Sequence, residues 1–393
     1  MARVPNYEAE DDGVPLWASE PYRVFFPAGI LAATVGLLLW PLHYLGWWEV
    51  YPAIQHPRIM IFGFGAAFVF GFLGTAWPRF LESRVLSPAE VFVLLLLWLA
   101  SQVVYWLGSI AVGDHLAAGA CLWLMGSLVR RLFQKGDELP PPGFSLAFLA
   151  VAFAAFVLLA FGFQWNLRSP EWDHFLRLCG YQGFLLLPIL GIGSYLVPRF
   201  FPGANGKPVS PGQRGKVVWS VAALVVLSFW LEAYVSIWIG NSVRTVAVLG
   251  WAVGAVPVLV KGRAPGTRPW ALRIGMAMIC VAFICRAIWP LQVFAFEHFL
   301  FLGGFTQVIL LVADRVATGH SVVAEEAKPK SIRWRWFVWL LILTAATRAT
   351  ADLVPTTRVS HHIYAAVLLV VLFLIWWADN GKRLLTFRKE EES

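Results

Sequence analysis

Apolar runs of about twenty residues recur along the whole chain, separated by short breaks rich in Pro, Gly or charge. A run of that length crosses a hydrocarbon core of roughly 30 Å as a helix, so the pattern predicts an all-α membrane protein of about twelve transmembrane helices. The expected limits are 22–42, 59–79, 89–108, 114–133, 144–164, 176–198, 217–238, 242–261, 270–289, 297–318, 334–354 and 360–379. Short tails are expected over 1–21 and 380–393, and the whole of 1–393 reads as a single transmembrane domain. Breaks such as Pro140-Pro141-Pro142-Gly143 carry the residues that end helices.

Composition agrees with this pattern. The chain is 59% hydrophobic and 14% charged, with a mean hydropathy of +0.68, whereas soluble domains carry about 25% charged residues. The formal charge of +8 does not imply a nucleic-acid partner. Most Lys and Arg sit in the tails and even-numbered loops, which predicts that both termini are cytoplasmic. Glu8, Glu10, Asp11 and Asp12 precede the first apolar run in place of a basic leader, so no cleaved signal peptide is expected. Trp47-Trp48 and Trp376-Trp377 fit interfacial belts. Cys121, Cys179, Cys280 and Cys285 lack metal or redox spacing and read as packing residues.

An internal repeat sharpens the architecture. Residues 173–181 read DHFLRLCGY and residues 297–305 read EHFLFLGGF, with a looser version, HPRIMIFGF, at 56–64. These segments open helices 2, 6 and 10, which predicts three four-helix repeats, 22–133, 144–261 and 270–379, around a pseudo-threefold axis along the membrane normal. His56, His174 and His298 then share one depth.

Seven of the eight histidines fall near the outer ends of the expected spans; His320 lies on the other side. Imidazole ligates haem iron and copper, and ionisable residues at membrane depth are costly enough to suggest function. His56 and His298 are the leading candidates, each followed by glycine that would let a flat ligand approach the backbone. His174, His361 and His362 are candidates for a second metal; His43 and His115 are expected in loops. Arg58, Arg286 and Arg348 lie near the same ends and suit a carboxylate such as a haem propionate. Glu232 and Glu297 are candidate partners for an imidazole or a proton.

The opening Tyr22-Arg23-Val24-Phe25-Phe26, the His56–Phe64 segment leading to Trp77-Pro78, Val197-Pro198-Arg199-Phe200-Phe201, and His298 followed by Arg315 through Gly319-His320-Ser321 together resemble the NnrS family. The resemblance spans 22 to about 320. It implies a bacterial inner-membrane protein of twelve helices, containing haem b and copper, linked to the nitric oxide and nitrosative stress response. Where the family reads His-x-His-Glu-Met, this chain has His56-Pro57-Arg58-Ile59-Met60; where it reads Gly-His-Thr-Gly-Arg, this chain has Gly319-His320-Ser321-Val322-Val323. Only the first His of helix 2, and His320 without the following Arg, carry over as metal candidates.

The threefold repeat also looks like haem-copper oxidase subunit one, in which helices 2 and 10 hold a low-spin haem. By that analogy His56 and His298 would hold one haem. The His pair of helix 7 and the His-x-His of helix 10 are missing, which argues against oxygen reduction of that kind. The expected function is therefore a haem-binding protein handling nitric oxide or electrons, with haem/copper oxidoreductase activity on nitric oxide as one form of it and a redox partner to supply electrons. A cofactor-free transporter using the same histidines for substrate or protons is the alternative.

Overall fold

The structure, a computed structural model, describes residues 13–134, 140–201, 211–256, 266–319 and 331–386. Every element among them is helical. Twelve long helices follow one another: α1 Tyr22–Tyr44, α2 Gln55–Phe80, α3 Pro88–Trp106, α4 Ile110–Leu132, α5 Phe144–Gly162 and α6 Pro170–Phe200, then α7 Pro211–Tyr234, α8 Ile237–Gly254, α9 Thr267–Ile288, α10 Val293–Gly319, α11 Ser331–Leu353 and α12 Arg358–Leu385. Eleven of these are long and apolar enough to cross a membrane. The exception is α8, whose 18 residues include Asn241 and Arg244, two side chains that lower its apolar character.

Each helix packs on its successor, and α12 packs on α1. Inside this succession lie α2, α6 and α10. Their apolar stretches are 89%, 83% and 67% buried, against 39–61% for the other crossing helices. This difference is visible in composition, since α2 carries a run from Ala66 to Trp77 in which only Ala76 keeps appreciable exposure. A helix apolar all round belongs in the interior of a bundle.

The three inner helices share a feature absent from the sequence-based expectation. Each changes from α to the wider π winding shortly after its histidine, over Ile59–Gly65, Leu178–Gly183 and Phe299–Thr306. Such segments displace carbonyls from their usual partners and occur often at functional sites. In α2 neighbouring side chains bond them: Trp98 Nε1 donates to Gly63 O at 3.2 Å and Gln102 Nε2 to Phe62 O at 3.3 Å. Buried indoles tie other helices together, with Trp251 donating to Leu190 O at 2.9 Å and Trp376 to Leu310 O at 3.1 Å.

Several expectations need correction. His43 and His115 are helical, not in loops: α1 runs past its expected limit of 42 to Tyr44, and His115 lies in the second turn of α4, which begins at Ile110. Past the limit set by apolarity, α12 likewise continues through Asn380 and Gly381 to Leu385, where the C-terminal tail was expected to begin. Trp376 is 2% exposed and belongs to the core, whereas Trp47 at 75% fits an interfacial belt. The glycines after the histidines are filled by protein: a Cβ at Gly63 would collide with the Gln102 side chain, and one at Gly303 would meet Met278 at 2.5 Å. They permit helix contact and leave no flat surface for a ligand at those backbone positions.

Candidate cofactor site

The alternating helices bring the starts of α2, α6, α10 and α12 to the same end of the bundle as the ends of α7, α9 and α11. The imidazoles of His56, His298 and His362 lie at that end, near enough to act on one another electrostatically. His56 Nδ1 donates to Gly36 O of α1 at 3.0 Å, and His298 Nδ1 to Phe294 O at 2.6 Å. A carbonyl can only accept, so each contact assigns the ring proton to Nδ1 and leaves a lone pair on Nε2. No protein group among the described residues bonds either Nε2. His362 on α12 pairs Nδ1 with the Tyr44 hydroxyl at 2.7 Å, and its Nε2 is buried without a partner.

These rings share one neighbourhood. The electrostatic field at His298 comes from Arg348, His56 and His362, and that at His362 from Arg348, His56 and Arg358. The Trp40 indole lies 4.7 Å from the His362 ring and 5.9 Å from the His56 ring. His56 and His298 are half-buried, so each ring keeps accessible surface.

The other candidate residues form two separate networks. Glu232 of α7, fully enclosed, accepts from Arg286 Nη2 at 2.9 Å on one oxygen and from Arg244 Nη2 at 2.9 Å and Asn241 at 3.0 Å on the other. His174 Nε2 stands 3.4 Å from the first of these oxygens. Arg244 also reaches Ser228 at 3.0 Å and Gln182 at 2.8 Å, and Gln182 donates to Glu297 at 3.3 Å. The second network centres on Arg58, which grips Asp114 through Nε at 2.7 Å and Nη2 at 3.1 Å and donates to the Tyr181 hydroxyl. Tyr105 donates to the same Asp114 at 2.8 Å.

The structure thus separates residues the sequence had grouped. Arg58 has both edges of its guanidinium occupied, and Arg286 is held by Glu232 and by Pro290 O at 3.0 Å. Arg348 pairs with Asp352 at 2.5 Å through one nitrogen and keeps further donors beside the imidazoles. His174 faces Glu232 and is not joined to His361 or His362. His361 turns Nδ1 to Thr357 O at 3.1 Å. His320 lies outside the described residues.

Among the described residues no three His, Cys, Asp or Glu side chains converge on a point where one bare ion would sit. The unpartnered Nε2 atoms of His56 and His298 are the atoms that would hold a haem iron, the Nε2 of His362 is buried without a partner, and Arg348 would supply charge for a carboxylate. Tyr44, Trp40 and Asp114 entered no expectation. Their only sequence signal is position, since Asp114 is an acid at the start of an apolar span and Tyr44 ends one.

A family profile described as NnrS protein matches residues 15–388. No curated protein gives a match.

Proposed function

The chain belongs to the NnrS family, membrane proteins associated with the response to nitric oxide, and from that premise we propose that it binds haem b between His56 and His298. The observation that carries this reading is the pair of rings whose Nδ1–H groups are spent on Gly36 O and Phe294 O. That arrangement fixes ring orientation and raises the basicity of the free nitrogen, as partner carbonyls do for metal-bound histidines. When bound between two imidazoles, haem would supply an iron centre able to exchange an electron with a redox partner, and nitric oxide would reach that iron only by displacing one of the two histidines.

The chain's own residues prepare the pocket. Gly36 and Phe294 set the two ring planes. Trp40 packs beside His56 and His362 and limits water, while Arg348 supplies positive charge for a propionate. The Tyr44 hydroxyl holds His362 with its free nitrogen in the same space. The pocket is read as lying in the outer half of the inner membrane, with both termini cytoplasmic and α2, α6 and α10 related by a pseudo-threefold axis. The shared π winding of these helices supports that symmetry. A transporter reading has less support, because the buried charged groups beside the inner helices pair with one another and the cavity farther along those helices is lined by apolar side chains.

The test is the reduced-minus-oxidised visible spectrum of purified protein expressed with ample haem. The expected result is a b-type low-spin spectrum that turns high-spin or disappears in His56→Ala and in His298→Ala. A folded parent without haem overturns the reading.

A further inference from the structure

We propose that the cavity where α2, α6 and α10 meet is a binding site for a small uncharged apolar molecule of a few heavy atoms, the class to which diatomic gases belong. The site is separate from the imidazoles. Its lining includes Phe68 and Phe72 of α2, Pro188 and Ile189 of α6, Met276 of α9 and Val312 of α10, around about 80 Å³ of free space. Phe72 and Val312 lie roughly 24 Å and 21 Å along their helices from His56 and His298 at 1.5 Å per residue, toward the opposite end of the bundle.

The sequence explains the void. Pro188 stands inside α6, where its ring removes one backbone hydrogen bond of the helix. Gly193 then places backbone, with no side chain, against the Trp251 ring, where an added Cβ would come within 3.1 Å. Protein interiors rarely leave voids larger than a water molecule, because a void forfeits contacts and stability.

Chemistry selects the occupant. Water needs two to four polar partners to stay in a cavity. Every lining residue is apolar, and the one side-chain N–H, that of Trp251, is already given to Leu190 O. Pro188 offers no N–H. Ions and polar solutes are excluded for the same reason, while small apolar molecules dissolve in the surrounding bilayer and reach the helices from it. The inference stands on this cavity alone and does not depend on haem being bound.

The experiment uses xenon as probe. The ¹²⁹Xe chemical shift is titrated with the full chain in lipid nanodiscs, against empty nanodiscs. The expected result is a saturable shift in the parent that is lost in Val312→Phe and in Ile189→Phe, with helical circular dichroism unchanged. If one variant fails to fold, the other decides, and displacement of xenon by cyclopropane in the parent tests the same site without substitution. A shift that rises linearly as in empty nanodiscs, or saturation retained in folded variants, overturns the proposal. So does saturation seen only after lipid is stripped away, which would make an acyl chain the occupant.

Discussion

Two polar clusters share one end of this bundle and use their hydrogen-bonding capacity in opposite ways. Around Glu232, both carboxylate oxygens, two guanidiniums and two side-chain amides are joined to one another, while Arg286 Nε and His174 Nε2 are buried without a hydrogen bond. Around His56, His298 and His362, each ring has one nitrogen fixed and the other unmatched. A buried polar network that closes on itself specifies how helices sit together. One that leaves aligned lone pairs unspent has been arranged for something else. The difference separates architecture from ligand binding better than residue type does, since both clusters contain His and Arg.

Breaking the closed cluster has the largest expected effect. Glu232→Gln leaves Arg244, which is 0% exposed, and Arg286 without their counter-charge; removing one partner of a buried pair costs about 3–5 kcal/mol. Thermal unfolding in detergent should show a large drop, together with poor yield. Asp114→Ala at the Arg58 network should fall in the lower part of that range, about 3 kcal/mol, because Tyr181 remains as a partner.

The next effect is smaller and sets the scale away from both clusters. Ser87 caps α3 in a reciprocal capping box with Glu90, so Ser87→Ala should cost about 1 kcal/mol in the same assay.

The smallest stability effect is expected in the open cluster. His298→Leu removes only a bond to a carbonyl of its own helix, so cofactor-free stability should change by no more than about 1 kcal/mol. Haem content should nevertheless fall severely. A stability loss as large as that of Glu232→Gln would place His298 among the structural residues and erase the contrast between the clusters.

The helix pattern was legible because a hydrocarbon core demands long apolar runs, and limits such as 22–42 and 144–164 lie within a few residues of α1 and α5. Where the expected limits fell short, polar residues were the cause. Pro170–Arg177 is strongly amphipathic with Asp173, His174 and Arg177 in its two turns, so apolarity alone began the sixth span at 176. His56 and His298 stood out through repetition in context. Pairing did not, since nothing in one dimension joins Arg58 to Asp114, 56 residues away, or brings His362 of α12 to Tyr44 of α1. The π segments were also hidden, because glycine near a histidine is compatible with ligand approach or with helix contact, and the structure selects contact.

The most direct test of the central claim, that the open imidazoles and not the Arg58–Asp114 ion pair hold the cofactor, is haem stoichiometry by the pyridine haemochrome method. The parent, His298→Leu and Asp114→Ala should be purified as folded protein after expression with excess haem. The account predicts haem in the parent, retention in whatever Asp114→Ala protein folds, and loss in His298→Leu at unchanged helicity. Full haem content in His298→Leu, or none in the parent, would contradict it.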